Sequence, residues 1–78
     1  MSTELKPYDQ VRVAAIRGDR FAGQPVIYDR HPQVGDVAVI VEAHQLGYAY
    51  EVECSNPQNG KTIWLDAMFV DELEACPT

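Results

Sequence analysis

A chain of 78 residues is long enough for one small domain and too short for two, so we expect a single domain over residues 1–78. Twelve Asp and Glu side chains oppose six Lys and Arg, which gives a formal net charge of −6. Affinity for phosphate depends on basic groups, so this charge disfavours nucleic acids and anionic membranes as partners. A composition that is 46% hydrophobic and 23% charged also argues against an intrinsically disordered chain.

The sequence contains no apolar run of membrane-spanning length, and its first residues are polar, unlike those of a signal peptide. We therefore expect a cytoplasmic protein. Two cysteines, Cys54 and Cys76, are too few for a disulfide framework and lack zinc-ligand spacing, so we expect reduced thiols, no metal and no other cofactor. Cys54 is predicted to be a small buried hydrophobic residue.

Short β-rich segments separated by Gly, Pro and Asn, without a helical period, indicate an all-β domain. Residues 1–7 are expected to be disordered. The first strand is predicted over residues 8–16, with one face formed by Val11, Val13 and Ala15. Residues 17–36 form a long loop, within which residues 26–28 are predicted to be a short strand or an anchored loop.

Residues 37–67 are predicted to form an antiparallel meander of three strands. In the first of these, over 37–43, Val37, Val39 and Val41 share one face, while the other face carries Ala38, Ile40 and Glu42. The second strand, over 48–54, turns Tyr48, Tyr50, Val52 and Cys54 inward and an acidic face outward. The sequence Asn-Pro-Gln-Asn-Gly at 56–60 predicts the turn after this strand.

The third strand of the meander, over 61–67, is predicted to place Ile63 and Leu65 inward and Thr62, Trp64 and Asp66 outward. One turn of 3₁₀ helix within 68–73 and a short strand near 74–76 complete the chain. Three strands with one apolar face need a cover, and the first and last strands supply it by closing a small barrel. The predicted fold is therefore a five-stranded SH3-like barrel with a long first loop.

Four segments of the chain resemble a small uncharacterised bacterial domain family of the SH3-like barrel type: residues 34–42, 50–53, 60–65 and 70–74. The family has glycine where this chain has Ala38, and its first loop is shorter. The tripeptide Gly35-Asp36-Val37 is similar to the opening of a KOW element of RNA-associated proteins, although residues 44–46 lack the basic side chains of that element. The chain is also similar to products of mobile bacterial gene cassettes. These resemblances imply a fold and no particular activity.

The candidate binding surface is the outer face of the meander, where a large aromatic side chain is predicted to be exposed. Exposed aromatic residues on a sheet often anchor a partner or a second copy of the chain. The predicted contact residues are Ile40, Thr62, Trp64 and Asp66, with Glu51 and Glu53 beside them. In the alternative arrangement the 17–36 loop folds over this face and buries both Ile40 and Trp64.

Other chemistry-bearing residues are predicted to be ordinary surface groups. Glu42, Glu51 and Glu53 share a face where paired carboxylates can act in acid–base chemistry or hold a hard cation, but no pocket or nucleophile accompanies them. The histidines, His31 and His44, stand alone in separate loops. We therefore expect a protein that is not an enzyme and has no catalytic or metal-binding residue.

These patterns support three functional hypotheses. The first is a protein-interaction module that forms homo-oligomers or binds another protein through its outer face. The second is an antitoxin- or immunity-like protein whose acidic surface neutralises a basic partner. The third is a nucleic-acid-associated, KOW-like domain that uses Arg17, Arg20 and Arg30, although the net charge favours no nucleic-acid partner and no membrane.

Overall fold

A computed structural model describes residues 5–43 and 49–76 of the chain. Five strands form one antiparallel sheet: β1 (Gln10–Val13), β2 (Val37–Ala43), β3 (Ala49–Ser55), β4 (Thr62–Phe69) and β5 (Leu73–Ala75). Their spatial order is β4-β3-β2-β1-β5, and a 3₁₀ turn over Val70–Glu72 joins the last two strands. The predicted all-β fold, with its long first loop and its 3₁₀ turn before the last strand, is confirmed. Within the described residues no helix has the length and apolarity needed to cross a membrane.

One hydrophobic core draws side chains from all five strands. Its buried members are Val11, Val13, Ala38, Ile40, Tyr50, Val52, Cys54, Trp64, Met68 and Leu73. Burying each of the larger side chains contributes about 1.5–3 kcal/mol. Leu5, which belongs to the N-terminal segment predicted to be disordered, packs against this core. The inward face of every strand therefore contributes to this one core.

The predicted orientation of β2 and β4 is wrong. Ile40 is 0% exposed and Trp64 is 1% exposed, and both lie in the core that we expected them to face away from. The strand register gives the reason, because Ile40 pairs with Val52 and Trp64 pairs with Cys54, and directly paired residues share a face. Tyr50, Val52 and Cys54 do point inward, as predicted.

Asp66 is also placed differently from the prediction. It pairs with Val52 across β3 and β4 and so lies on the inner side of the sheet, half-buried at the margin of the core. Leu65, which was predicted to face inward, pairs with Glu53 on the outer side. The part of β4 from Trp64 to Asp66 is therefore shifted in phase by one residue relative to the sequence prediction, and such a shift exchanges the two faces of a strand, whereas Thr62, before the register irregularity, lies on the outer side as predicted.

Two irregularities accompany these reversals. The register between β2 and β3 shifts between Ile40 and Glu42, which leaves Val41 as an additional residue on β2. The register between β3 and β4 shifts between Cys54 and Ser55. Because of the first shift Glu42 pairs with Glu51, so that these two glutamates share the outer face.

The turn predicted at 56–60 is confirmed in detail. Asn56 accepts a hydrogen bond from Gln58 N through its side chain, and the Asn59 side chain accepts one from Lys61 N. Gly60 has a φ of 73°, a conformation that glycine adopts without steric cost. Asn side chains that bond to backbone amides two residues later are a common way to stabilise such turns.

The long first loop is attached to the barrel by a buried ion pair. The Arg20 guanidinium donates to both carboxylate oxygens of Glu72, at 2.5 and 2.9 Å, and Glu72 is 1% exposed. The same carboxylate accepts hydrogen bonds from Arg17 N at 2.7 Å and Phe69 N at 2.9 Å. One carboxylate therefore joins the loop to the 3₁₀ turn and caps the first turn of that element.

A second network fixes the end of the loop to the core. Asp36 accepts two hydrogen bonds from Arg30, at 2.8 and 2.9 Å, and one from the indole N–H of Trp64 at 2.8 Å. Its carboxylate also accepts a bond from Gln33 N. This network gives the buried indole a polar partner, which a buried tryptophan requires.

We expect the stability of the protein to fall in acid. Burial alone raises the pKa of Glu72 and Asp36, but their hydrogen bonds from Arg20, Arg30 and backbone amides outweigh it, so that each pKa lies below its ordinary value. A carboxyl group whose pKa is lower in the folded state stabilises that state above its unfolded pKa of about 4, and the contribution is lost as the pH falls through the folded pKa.

Urea denaturation, followed by the emission of Trp64, measures this dependence. The denaturation midpoint should be constant above about pH 6 and should fall steeply below about pH 4. Glu72→Gln should show a weaker dependence than the wild type. Equal midpoints at about pH 3 and about pH 7 would contradict the lowered pKa values of Glu72 and Asp36 in the folded protein.

Candidate functional site

The outer face of the sheet carries an exposed row of valines on its middle strand. Val37, Val39 and Val41 on β2 are 47%, 38% and 41% exposed. Single exposed apolar residues are common on proteins, but a row of three on one strand forms a continuous apolar surface. Because β2 has two strands on either side of it, this row lies at the centre of the face.

Polar side chains border the valine row on both sides. Gln10 and Arg12 of β1 pair with Val39 and Val37, and Arg12 forms an ion pair with Glu74 of β5. On the other side Glu53 of β3 pairs with Val39. An apolar centre with a polar rim is the usual composition of a protein-binding surface.

A groove extends from the valine row toward β4. It is lined by Val37, Val39, Glu53, Pro57 and Ile63, among others. Ile63 also lines a neighbouring depression, together with Tyr28 of the long loop and Thr62. The apolar surface therefore continues from β2 across Ile63 to Tyr28, which is 51% exposed. We call Val37, Val39, Val41 and Ile63 the valine face.

Three of the six predicted contact residues lie on this outer side of the sheet. They are Glu51, Glu53 and Thr62, and the Thr62 hydroxyl donates a hydrogen bond of 2.5 Å to the Glu53 carboxylate. Ile40 and Trp64 belong to the core, and Asp66 lies on the inner side. Glu42, Glu51 and Glu53 share the outer face as predicted, but residues 5–43 and 49–76 contain no group of three acidic, His or Cys side chains arranged to hold a metal ion.

The proposed basic surface is neutralised by neighbouring carboxylates. Arg17 pairs with Asp71, Arg20 with Glu72 and Arg30 with Asp36. These hydrogen bonds raise the pKa of Arg17 and Arg30 above the ordinary value. Arg17 and Arg20 thus join the long loop to the 3₁₀ turn and Arg30 forms an ion pair within the loop, so the three guanidinium groups do not form a row of free cations for a phosphate backbone.

A second depression lies between the long loop and the edge of β4. Its lining includes Ile27, Tyr28 and His31 from the loop and Trp64 and Asp66 from β4, and its volume is about 140 Å³. The backbone amides of Asp29 and Arg30 donate to the carbonyl of Ile63, which anchors the loop there. Residues 26–28 are thus part of an anchored loop and not a strand, and their side chains are exposed. We call this depression the β4 cleft.

Asp66 is the unusual residue of the β4 cleft. Burial raises its pKa, and the nearby charges of His31 and Arg20 do not reverse that effect. Its carboxylate accepts no hydrogen bond from any residue within the described part of the chain, unlike Asp36 and Glu72, each of which accepts four. Half-buried carboxylates are normally stabilised by donors or cations.

The histidines and cysteines differ in their surroundings. His31, predicted to be a surface residue, is half-buried and stacks on Phe21 with ring centroids 5.7 Å apart. His44 lies outside the described residues. Cys54 is buried, as predicted, and its burial raises the pKa of its thiol, which disfavours a nucleophilic role.

The valine face was missed by the sequence prediction although a signal for it exists. Residues 37–41 read Val-Ala-Val-Ile-Val, so apolar side chains fall on both faces of β2 whichever phase is chosen. A strand with two apolar faces, on a sheet with one core, must expose one of them. The sequence therefore indicated that β2 exposes a row of apolar residues, but it did not indicate which residues form that row.

Comparisons of the chain with protein-family models, with curated proteins and with solved structures find no match. The assignment to an SH3-like family stays a prediction.

Proposed function

We propose that the protein is a non-enzymatic interaction module that binds another protein through the valine face. The observation that carries this proposal is the row of exposed valines at the centre of the sheet, rimmed by polar side chains. Removing such a row from water is favourable by about 25 cal/mol for each Å² of apolar surface, and the groove beside it offers a concave place for a partner's side chain.

The charges around the valine face favour a basic partner over a second copy of the chain. Glu51 and Glu53 border the row on β3, and Glu42 pairs with Glu51 at its far end. Arg12 on the opposite rim is already paired with Glu74, so the rim carries a net negative charge that a basic partner complements better than a second copy of the chain does. A partner segment that carries apolar side chains flanked by Lys or Arg complements both the row and its rim. This supports the second of the three hypotheses, in which an acidic surface neutralises a basic partner.

A pair of synthetic peptides tests the proposal. One peptide alternates valine with lysine, and the other alternates valine with glutamate. We expect the lysine peptide to shift the backbone amide NMR signals of Val37 and Val39, and to bind at least about tenfold more tightly than the glutamate peptide. Its affinity should fall as salt is added, because the flanking charges are exposed.

Val39→Lys is the informative variant and Val34→Lys is its matched control. Val34 is 63% exposed in the long loop and does not line the groove, so both variants add the same charge to an exposed valine. We expect Val39→Lys to weaken peptide binding at least about tenfold and Val34→Lys to leave it within about twofold. Equal binding of the two peptides, or equal effects of the two variants, would overturn the proposal.

The oligomeric state shows whether the valine face binds a basic protein or a second copy of the chain. Analytical ultracentrifugation of the wild-type protein should show a monomer. A stable dimer that Val39→Lys dissociates would overturn the basic-partner proposal and place a second copy of the chain on the valine face.

A further inference from the structure

The groove beside the valine row reaches from the outer face of the sheet down to the core. Its apolar lining comes from β2, from β4 and from the turn between β3 and β4, and includes Val37, Val39, Pro57 and Ile63. Ala38 and Cys54, which are only 3% and 4% exposed, also line it. A depression that extends to buried residues can enclose a side chain on several sides, whereas a flat row of valines contacts it on one side.

The groove is large for a single side chain. Its volume is about 640 Å³, within the range of about 300–1,000 Å³ of ordinary small-ligand sites. Space that a bound group leaves unfilled forfeits dispersion contacts with the lining. Aromatic side chains bury the most apolar surface, about 150–250 Å² each, so the size of the groove favours an aromatic side chain as its occupant.

The residues around the groove are held in place before any partner binds. Valine and isoleucine are branched at Cβ and have restricted side-chain torsions, and the proline ring of Pro57 is rigid. The turn that carries Pro57 is closed by a hydrogen bond of 2.8 Å from Asn56 N to the carbonyl oxygen of Lys61. Binding to a pre-formed site costs little ordering of the protein, and an aromatic ring loses the freedom of only two torsions.

The groove carries one carboxylate and no paired cation. Glu53 is the charged residue among its lining residues in the described part of the chain. The Thr62 hydroxyl donates a hydrogen bond of 2.5 Å to the Oε2 atom of Glu53, which fixes the carboxylate and leaves its other oxygen as an acceptor. Arg12, across the valine row, is paired with Glu74. A lysine or arginine of the partner therefore complements Glu53.

The exposed aromatic residues of this chain do not supply both features. Among the described residues they are Tyr8 and Tyr28, which are 83% and 51% exposed. Each is followed directly by an aspartate, Asp9 or Asp29. A tyrosine of a second copy in the groove would bring that aspartate toward Glu53, and like charges repel. A basic segment of another protein fits the groove better than a second copy does.

We propose that the groove receives an aromatic side chain of the basic partner, and that a lysine or arginine of the same segment pairs with Glu53. This inference rests on the interaction function proposed above and names the residue that anchors the partner. Aromatic residues seated in central pockets commonly account for most of the affinity of a protein interface.

Four versions of the valine–lysine peptide test the anchor. The central valine is kept or is replaced by tryptophan, leucine or alanine, and the lysines are unchanged. We expect the tryptophan peptide to bind at least about tenfold more tightly than the alanine peptide and at least about threefold more tightly than the leucine peptide. Isothermal titration calorimetry measures the four dissociation constants.

The methyl NMR signals of the protein locate the bound ring. A ring in the groove should shift the methyl signals of Val37, Val39 and Ile63, because these residues line the groove. Val41 belongs to the same row but does not line the groove, so its methyl signals should shift much less. Val41 is therefore an internal control in the same titration.

Val37→Ala and Val41→Ala are matched variants, since the two valines are 47% and 41% exposed on one strand. We expect Val37→Ala to reduce the preference for the tryptophan peptide over the alanine peptide at least about threefold, and Val41→Ala to leave that preference within about twofold. Glu53→Gln, which keeps an acceptor for Thr62, should weaken binding of the tryptophan peptide at least about fivefold. Glu42→Gln on the same face should weaken it less than about twofold. Urea denaturation checks that each variant is folded.

The outcomes separate this inference from the proposed function. If the tryptophan peptide binds no more tightly than the alanine or leucine peptide, while the lysine peptide still binds more tightly than the glutamate peptide, the aromatic anchor is overturned and the valine-face function stands. A tryptophan peptide that shifts the methyl signals of Val41 as much as those of Val37 also overturns the anchor. Equal binding of the lysine and glutamate peptides instead overturns the proposed function itself.

Discussion

Replacement of Glu72 by alanine is expected to cost about 3–5 kcal/mol of the free energy of unfolding. The reason is that the change leaves the Arg20 guanidinium, with 25% of its side chain exposed, without its counter-ion. It also removes the acceptor for the backbone amides of Arg17 and Phe69. A domain of this size has roughly 4–12 kcal/mol of stability in total, at 0.05–0.15 kcal/mol per residue, so the variant should lie at or near the limit of folding.

Urea denaturation monitored by Trp64 emission measures the loss, and Asp71→Ala is its matched control. Asp71 is the neighbouring acidic residue and also pairs with an arginine, Arg17, but its side chain is 60% exposed. Exposed ion pairs contribute about 0–1 kcal/mol, so Asp71→Ala should be nearly neutral. Glu72→Gln, which keeps an oxygen acceptor, should fall between the two. Similar losses for Glu72→Ala and Asp71→Ala would show that the Glu72 network does not hold the loop.

Local sequence patterns predicted the parts of the fold that depend on neighbouring residues. The alternation of Tyr50, Val52 and Cys54 with Glu51 and Glu53 identified the inner face of β3, because charged residues mark one face unambiguously. The Asn-Gly turn at 56–60 was also predicted, because its backbone conformation is a property of those residue types. In both cases the physical cause lies within a few residues.

The phase of β2 and β4 depends on contacts that such patterns do not contain. Residues 37–41 are all apolar, and residues 63–65 are Ile-Trp-Leu, so either phase gives a strand with an apolar inner face. The choice is made by pairing with Val52 and Cys54 and by the two register shifts. A bulge inserts one residue and exchanges the faces of the residues beyond it. No residue type at these positions indicates that a bulge is present.

The ion pairs beside the β4 cleft also could not be predicted from the sequence. Arg20 and Glu72 are 52 residues apart, and their pairing follows from the path of the loop across the 3₁₀ turn. The same path places loop residues beside Asp66, which lies on the inner side because it pairs with Val52, whereas alternation predicted one more outward acidic residue. The candidate sites therefore differ from the predicted one: the valine face lies on the opposite set of β2 residues, and the β4 cleft was not anticipated.

Replacement of Trp64 by alanine is expected to cost about 3–5 kcal/mol of the free energy of unfolding. The indole is 1% exposed and is among the largest fully buried side chains, so its removal leaves a cavity in the centre of a small core. It also removes the indole N–H that bonds to Asp36 at 2.8 Å. Trp64→Phe keeps most of the packing and loses the hydrogen bond, so its cost should be smaller, about 1–3 kcal/mol.

Urea denaturation followed by far-UV circular dichroism measures these variants, because the chain has a single tryptophan and the substitution removes its emission. Tyr28→Ala is the control, since Tyr28 is an aromatic residue that is 51% exposed, and it should cost less than about 1 kcal/mol. The comparison distinguishes the two phases of β4. If Trp64→Ala costs no more than Tyr28→Ala, the indole lies on the surface, β4 pairs with β3 in the other register, and both the valine face and the β4 cleft lose their basis. A loss several times larger than that of Tyr28→Ala requires the indole to be inside, and a strand with Trp64 inside must place Leu65 outside, on the side of Glu53 and the valines.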